Sequence, residues 1–221
     1  LKDGKFDENP AKATGNDRFT STPSINDWFE TLKLNYGVDY LDNRKTYFDP
    51  IPPLWNKMYD ILHFWSEKGI DGFRCDMVEM VPFEFWGWII EKLKAEFSQL
   101  IFIGEAYEIG KYHDYISIGK FDYLYDKVGL YDALRKLTCN WPDANTWEIN
   151  QVWNRDCFGI DQHMLRFMEN HDEQRIASRF FAGDPWLAVP GMIVTATMNT
   201  GPVMIYSGQE CGEPGNGNEG F

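Results

Sequence analysis

An α/β protein built on parallel strands, forming part of a (β/α)8 TIM barrel, is what this 221-residue chain predicts. Three observations carry the expectation. Segments with helical periodicity alternate with short apolar runs, the signature of repeated βα units. The apolar runs, Leu100-Ile-Phe-Ile above all, lack in-and-out alternation and so suit strands covered on both faces. Finally, an acidic residue follows three of the runs, and the C-terminal ends of barrel strands are where reactive groups gather.

Residues 1–50 are rich in Asp, Asn, Gly, Thr and Tyr with weak periodicity, and predict an irregular excursion. Asp39, Asp42 and Asn43 offer oxygen ligands for a structural calcium, but no spaced loop signature marks a site, and solvated turns are the reading preferred. From Pro53 to Lys68, Leu54, Met58, Ile61, Leu62 and Trp65 recur at three- and four-residue steps, one face of a helix. It leads into a strand from Ile70 to Cys75, bounded by glycine. A helix over Phe83 to Phe97 places Phe85, Ile89, Leu93 and Phe97 on one face and feeds the Leu100 strand. Strands at Phe121 to Tyr125, His163 to Met168 and Val203 to Tyr206 follow, with helices near Leu130 to Leu137, Asn145 to Trp153 and Ala188 to Met198. That makes five strands, so a closed barrel needs about three more from outside the chain. The first residue is Leu1, and Phe221 falls in a glycine-rich loop, which predicts a piece of a longer protein.

A formal net charge of -13 and a pI near 4.7 argue against nucleic acid, whose phosphates call for clustered Lys and Arg. Aromatic residues are 16% of the chain, with nine Trp, enough to fill a core and leave flat faces for stacking on sugar rings. Cys75, Cys139, Cys157 and Cys211 show no C-x-x-C spacing and predict neither a disulfide scaffold nor a zinc site. No run of about 18 apolar residues marks a membrane span. Compartment and oligomeric state are left open.

Arg74 and Asp76 lie two apart on a strand and so leave it on the same face, where a charged pair is costly unless it is used. Asp76, Glu105 and Asp172 each follow an apolar run, which would bring all three to one rim. Such a trio suits metal-assisted hydrolysis or glycosyl transfer. The four histidines form no H-x-H or H-E-x-x-H pattern, which ranks glycosyl transfer first and assigns no metal ligand. Retention of configuration needs one carboxylate held ionised, a part for Asp76 beside Arg74, and one held protonated, a part for Glu105 crowded by two aspartates. Taken singly, each group has a plainer reading: a buried ion pair for Arg74 and Asp76, a helix cap for Glu105, a polar turn for Asn170-His-Asp172. Their joint placement favours chemistry.

Gly72-Phe-Arg-Cys-Asp76, Ile103-Gly-Glu105 and Phe167-Met-Glu-Asn-His-Asp172 resemble the second, third and fourth signature regions of the α-amylase family, glycoside hydrolase family 13. Phe121-Asp-Tyr-Leu-Tyr125 and Gly201-Pro-Val-Met-Ile-Tyr-Ser-Gly-Gln-Glu210 are similar to its sixth and eighth strands. The resemblance implies the C-terminal part of the barrel, about strands 4 to 8, over residues 51–221, with residues 1–50 in the domain B that protrudes after the third strand. It implies a retaining hydrolase of α-glucan poly- or oligosaccharides, with Asp76 as nucleophile, Glu105 as acid/base and Asp172 as transition-state stabiliser. Arg74, Asn170 and His171 would contact or support the sugar, and Tyr107, just past a strand end, could stack on it. No cofactor is required for the chemistry. An α-glucan transglycosylase, or a binding protein on the same barrel, is the alternative. Two departures stand out: the family's first signature region is absent, and Glu79 and Met80 occupy the places where many α-amylases carry Lys-His.

Overall fold

The computed structural model describes residues 12–198 and 200–215, so the first eleven residues of the N-terminal excursion, Asn199 and the last six residues lie outside it. In chain order the elements are β1 (Val38–Asp39), β2 (Lys45–Thr46), α1 (Pro53–Ser66), β3 (Gly72–Cys75), α2 (Phe83–Glu96), β4 (Ile101–Gly104) and α3 (Tyr112–Ser117). They continue with β5 (Tyr123–Tyr125), α4 (Asp132–Thr138), α5 (Trp147–Gln151), β6 (Met164–Leu165) and α6 (Val189–Thr197). None of the described helices is long and apolar enough to cross a membrane. The chain divides into two compact units, Leu1–Asp71 with Met80–Leu100, and Gly72–Glu79 with Ile101–Phe221.

In the first unit, β1 and β2 form a small antiparallel hairpin, Val38 opposite Thr46, in a stretch expected to be irregular. Its turn is made by Asn43 and Arg44, both at positive φ, a backbone state that asparagine tolerates well. Pro53 starts α1 at its first turn, where a missing N–H costs nothing. The expected face of α1 is rotated: Trp55 is buried, whereas Ile61 and Trp65 are half exposed. An aromatic cluster explains the rotation. The Trp55 ring lies 5.2 Å from Phe48, 5.5 Å from Phe85 and 5.6 Å from Trp88, and its Nε1 donates to the Tyr36 carbonyl at 3.0 Å. On the expected face of α2, Phe85, Ile89 and Leu93 are buried, while Phe97 lies just past the helix end and is half-buried.

The second unit is organised by a parallel sheet in the order β3-β4-β5-β6. Gly72 sits opposite Ile101, and a Cβ there would fall 2.0 Å from the Ile101 carbonyl oxygen, so only glycine allows the strands this approach. The sheet is filled by apolar side chains: Phe102, Leu124 and Met164 are fully buried, and Tyr125, Tyr131, Leu165 and Phe167 form one cluster. The fifth expected strand, Val203 to Tyr206, is reduced to a single parallel bridge between Arg166 and Val203. Gly201 and Pro202 directly before it limit the pairing, since proline has no N–H to give. The helices beyond β5 are shorter than their periodicity predicts. A π turn, Lys127–Tyr131, precedes α4, and another, Val152–Asp156, extends α5. No expectation covered α3, whose Tyr112 and Tyr115 are buried.

Candidate active site

The sheet presents its C-terminal edge as a set of loops, each beginning with a polar residue. Glu105 extends the ladder by one step past β4, its N–H donating to the Cys75 carbonyl at 2.9 Å and its own carbonyl accepting from Val78 at 3.0 Å. These bonds hold the start of the β3 loop against the start of the β4 loop. Arg74 spans the gap between their acids. Its Nη1 hydrogen-bonds Asp76 Oδ1, its Nη2 lies 2.8 Å from Glu105 Oε1, and its guanidinium carbon stands 5.4 Å from the centre of the Tyr125 ring. Burial by itself opposes the Arg74 charge, but Asp76, Tyr125 and Glu105 outweigh it and raise its pKa.

The two carboxylates under that guanidinium live in different surroundings. The Asp76 side chain is 72% exposed and that of Glu105 only 3%. Glu105 Oε2 accepts from the Met77 N–H at 3.1 Å, and Oε1 accepts from the Tyr107 hydroxyl at 3.3 Å as well as facing Arg74. Met77 turns its N–H onto Glu105 by adopting φ +44°, an unfavourable region for a side chain without a local hydrogen bond to offer. Burial raises the Glu105 pKa against the pull of the Met77 N–H and Arg74, and the neighbouring Asp76 carboxylate pushes it up further. The arrangement is one open carboxylate and one withdrawn carboxyl that favours its proton.

The sequence suggested that Asp172 follows its strand directly, but β6 ends at Leu165, and Arg166 to Asn170 continue as buried chain outside the strand. Asn170 is itself buried, and its Oδ1 accepts from the Asp172 N–H at 2.8 Å, so it shapes the turn. His171 Nε2 lies 3.1 Å from Asp172 Oδ2, with both side chains about half exposed. The turn is pinned on either side. Glu169 accepts from Arg175 and from the Ile176 N–H, both at 2.7 Å, and Glu173 faces Tyr131 Oη at 2.9 Å, Arg135 at 2.7 Å and Lys127 at 2.9 Å. Tyr107 links the loops electrostatically: burial raises its hydroxyl pKa, and Glu105, Asp172 and Glu173 add to the shift.

The structure therefore gathers Arg74, Asp76, Glu105 and Tyr107 in one hydrogen-bonded group, while Asp172 makes its contacts with Asn170 and His171. Sequence reasoning assigned no role to Met77, Glu79 or Tyr125. Tyr125 ends an expected strand, which was a signal; the left-handed Met77 gave none. Asp39 uses Oδ1 to accept the N–H groups of Leu41 and Asp42, a turn role, and no cluster of three or more metal-ligating side chains occurs among the described residues.

Residues 50–219 match the α-amylase catalytic domain. The chain belongs to the α-amylase family. Its sheet accordingly belongs to a TIM-barrel-derived α/β fold. The chain is 34% identical over 151 residues to the α-1,4-glucan:maltose-1-phosphate maltosyltransferase of Cereibacter sphaeroides, a match covering 58% of this chain and 25% of that protein. To the α-amylase MalA of Haloarcula japonica it is 29% identical over 170 residues, covering 76% of this chain and 24% of the relative. This α-amylase family chain thus spans about a quarter of the length of these relatives. A cyclic α-maltosyl-(1→6)-maltose hydrolase from Arthrobacter globiformis superposes with a TM-score of 0.64 at 22% identity, over 76% of this chain and 38% of the other, a likeness of fold.

Proposed function

We propose that the complete protein is a retaining enzyme of α-glucans, with this chain supplying about strands 4 to 8 of its barrel and residues 1–50 belonging to a protruding domain B. The observation that carries the reading is the single Arg74 guanidinium contacting both Asp76 and Glu105. Two carboxylates sharing one guanidinium, one open and one withdrawn from solvent, suit a retaining pair, in which one acid attacks and the other donates a proton. Asp76, open and ion-paired, attacks the anomeric carbon as the bond to the leaving oxygen breaks. Glu105, whose environment favours the protonated form, gives that oxygen its proton and then takes one from the incoming acceptor. Asp172, held by Asn170 and paired with His171, faces the positive charge that develops on the sugar ring. No cofactor enters these steps, and calcium, if bound, is structural.

Water as acceptor gives hydrolysis of starch-type poly- or oligosaccharides. The relatives named maltosyltransferases favour a second reading, in which a glucan hydroxyl takes the place of water. Both share the covalent intermediate. Incubation of the complete protein with a 5-fluoro-α-glycosyl fluoride, followed by peptide mapping, is expected to place one added sugar on the peptide containing Asp76. A folded protein that turns over glucan yet carries its sugar on another residue would overturn the assignment.

A further inference from the structure

Glu79 stands where the family pattern leads one to expect a lysine, and the structure gives it a definite task. Its Oε1 accepts two successive backbone N–H groups, Tyr107 at 2.6 Å and Glu108 at 3.2 Å, while its Oε2 is buried without a partner. Residues 105–108 form no regular element, so their shape depends on such contacts. A carboxylate accepting two adjacent amides is a charge-assisted clamp, stronger than neutral hydrogen bonds. The loop it clamps carries Tyr107, whose hydroxyl donates to Glu105 Oε1 at 3.3 Å. The path from Glu79 to the acid is therefore short: carboxylate to amide, Tyr107 to hydroxyl, hydroxyl to Glu105.

We propose that Glu79 is a positioning residue for proton donation, fixing through Tyr107 the direction in which Glu105 presents its carboxyl to the leaving oxygen. The inference rests on the reading of Glu105 as acid/base. It explains why an acid is placed three residues after Asp76, where it adds negative charge to a site already holding three carboxylates. A lysine there could not accept the two N–H groups, so the loop after β4 would need another anchor. Because Glu79 acts on proton transfer and not on nucleophilic attack, its removal harms a substrate in proportion to how much its leaving group needs the proton.

The test compares maltopentaose, whose leaving sugar needs a proton, with α-maltosyl fluoride, whose fluoride departs almost without one, using the complete protein. Glu79→Ala is expected to lower kcat/KM on maltopentaose by roughly tenfold and on the fluoride by less than about twofold. Glu79→Gln keeps an oxygen to accept the amides and should recover most of the loss. Tyr107→Phe should show the same split, and Glu79→Ala should add little in that background. Equal losses on both substrates, or additive losses with Tyr107→Phe, would mean general damage and overturn the inference. A Glu105→Ala control separates the two ideas. If it shows the leaving-group split and Glu79→Ala does not, only the role of Glu79 fails; if Glu105→Ala shows no split, the acid/base reading fails and this inference with it.

Discussion

One guanidinium serving two acids is the feature from which the residue-scale chemistry follows. Arg74 contacts Asp76, which is open, and Glu105, which is closed in, so the same positive charge works against two different backgrounds of solvent. The Asp76 side chain is largely exposed, so folding should depend little on it, whereas the nucleophilic role proposed above makes catalysis depend on it. Asp76→Asn in the complete protein is expected to reduce kcat on α-glucan on the order of 10⁴-fold, with little change in thermal midpoint. An undiminished rate would remove Asp76 from the mechanism. Glu105 behaves in the opposite sense. Its pKa is raised in the folded protein, chiefly by burial, so the folded state holds the proton at a pH where the unfolded chain has released it. Stability then falls as pH rises from the ordinary glutamate value, about 4.3, through the raised one. Glu105→Gln carries no charge to bury. At pH 7 it should melt higher than the wild type while losing activity, and the difference should vanish at about pH 4 or below, as seen in thermal melts across pH.

At the scale of elements, a buried ion pair joins β5 to the chain beyond β6. Asp126 is fully buried after β5, where its carboxylate accepts the Leu130 N–H at 2.9 Å and faces Arg166 Nε at 3.2 Å. It thereby caps the π turn and holds the segment that runs on to Asp172. Asp126→Ala would leave Arg166 uncompensated in the interior and is expected to cost about 3–5 kcal/mol in chemical denaturation. Replacing both partners by apolar residues should cost less, because no lone charge remains. This pairing was not legible in the sequence, where Asp126 and Arg166 are forty positions apart. What was legible were the elements with strong local signals. Strands β3 and β4, each followed directly by an acid, and α2, with its four-residue repeat, lie within the expected segments, although β3 starts at Gly72 and not at Ile70 and α2 ends at Glu96, one residue early. The face of α1 was misjudged because aromatic stacking around Trp55, a long-range choice, outweighed the local periodicity. The Val203 strand shrank to one bridge for a similar reason: apolar content was read correctly, but pairing partners are not written in a single strand. In the candidate site, the acids were read as reactive groups because they sit beside apolar runs. Glu79 and Met77 were not, since their roles lie in a hydrogen bond and a backbone angle.

For the molecule as a whole, the dominant long-range property is charge. This chain carries a formal -13, and within that total the candidate site holds Asp76, Asp172 and Glu79 against Arg74, beside the withdrawn Glu105. A neutral maltooligosaccharide would feel little of that field, whereas an anionic glycosyl donor approaching this chain would be repelled. Salt screens exposed charges beyond a Debye length, about 10 Å at 0.1 M, so the two donor types respond differently to ionic strength. For a neutral glucan, kcat/KM of the complete protein is expected to change by less than about twofold between low and moderate salt. For an anionic donor that must approach this charge unaided, it should rise with salt as repulsion is screened. If instead the anionic donor is used efficiently at low salt and loses rate as salt is added, a local cationic pocket recruits it. That outcome would select transfer from a glycosyl phosphate over hydrolysis.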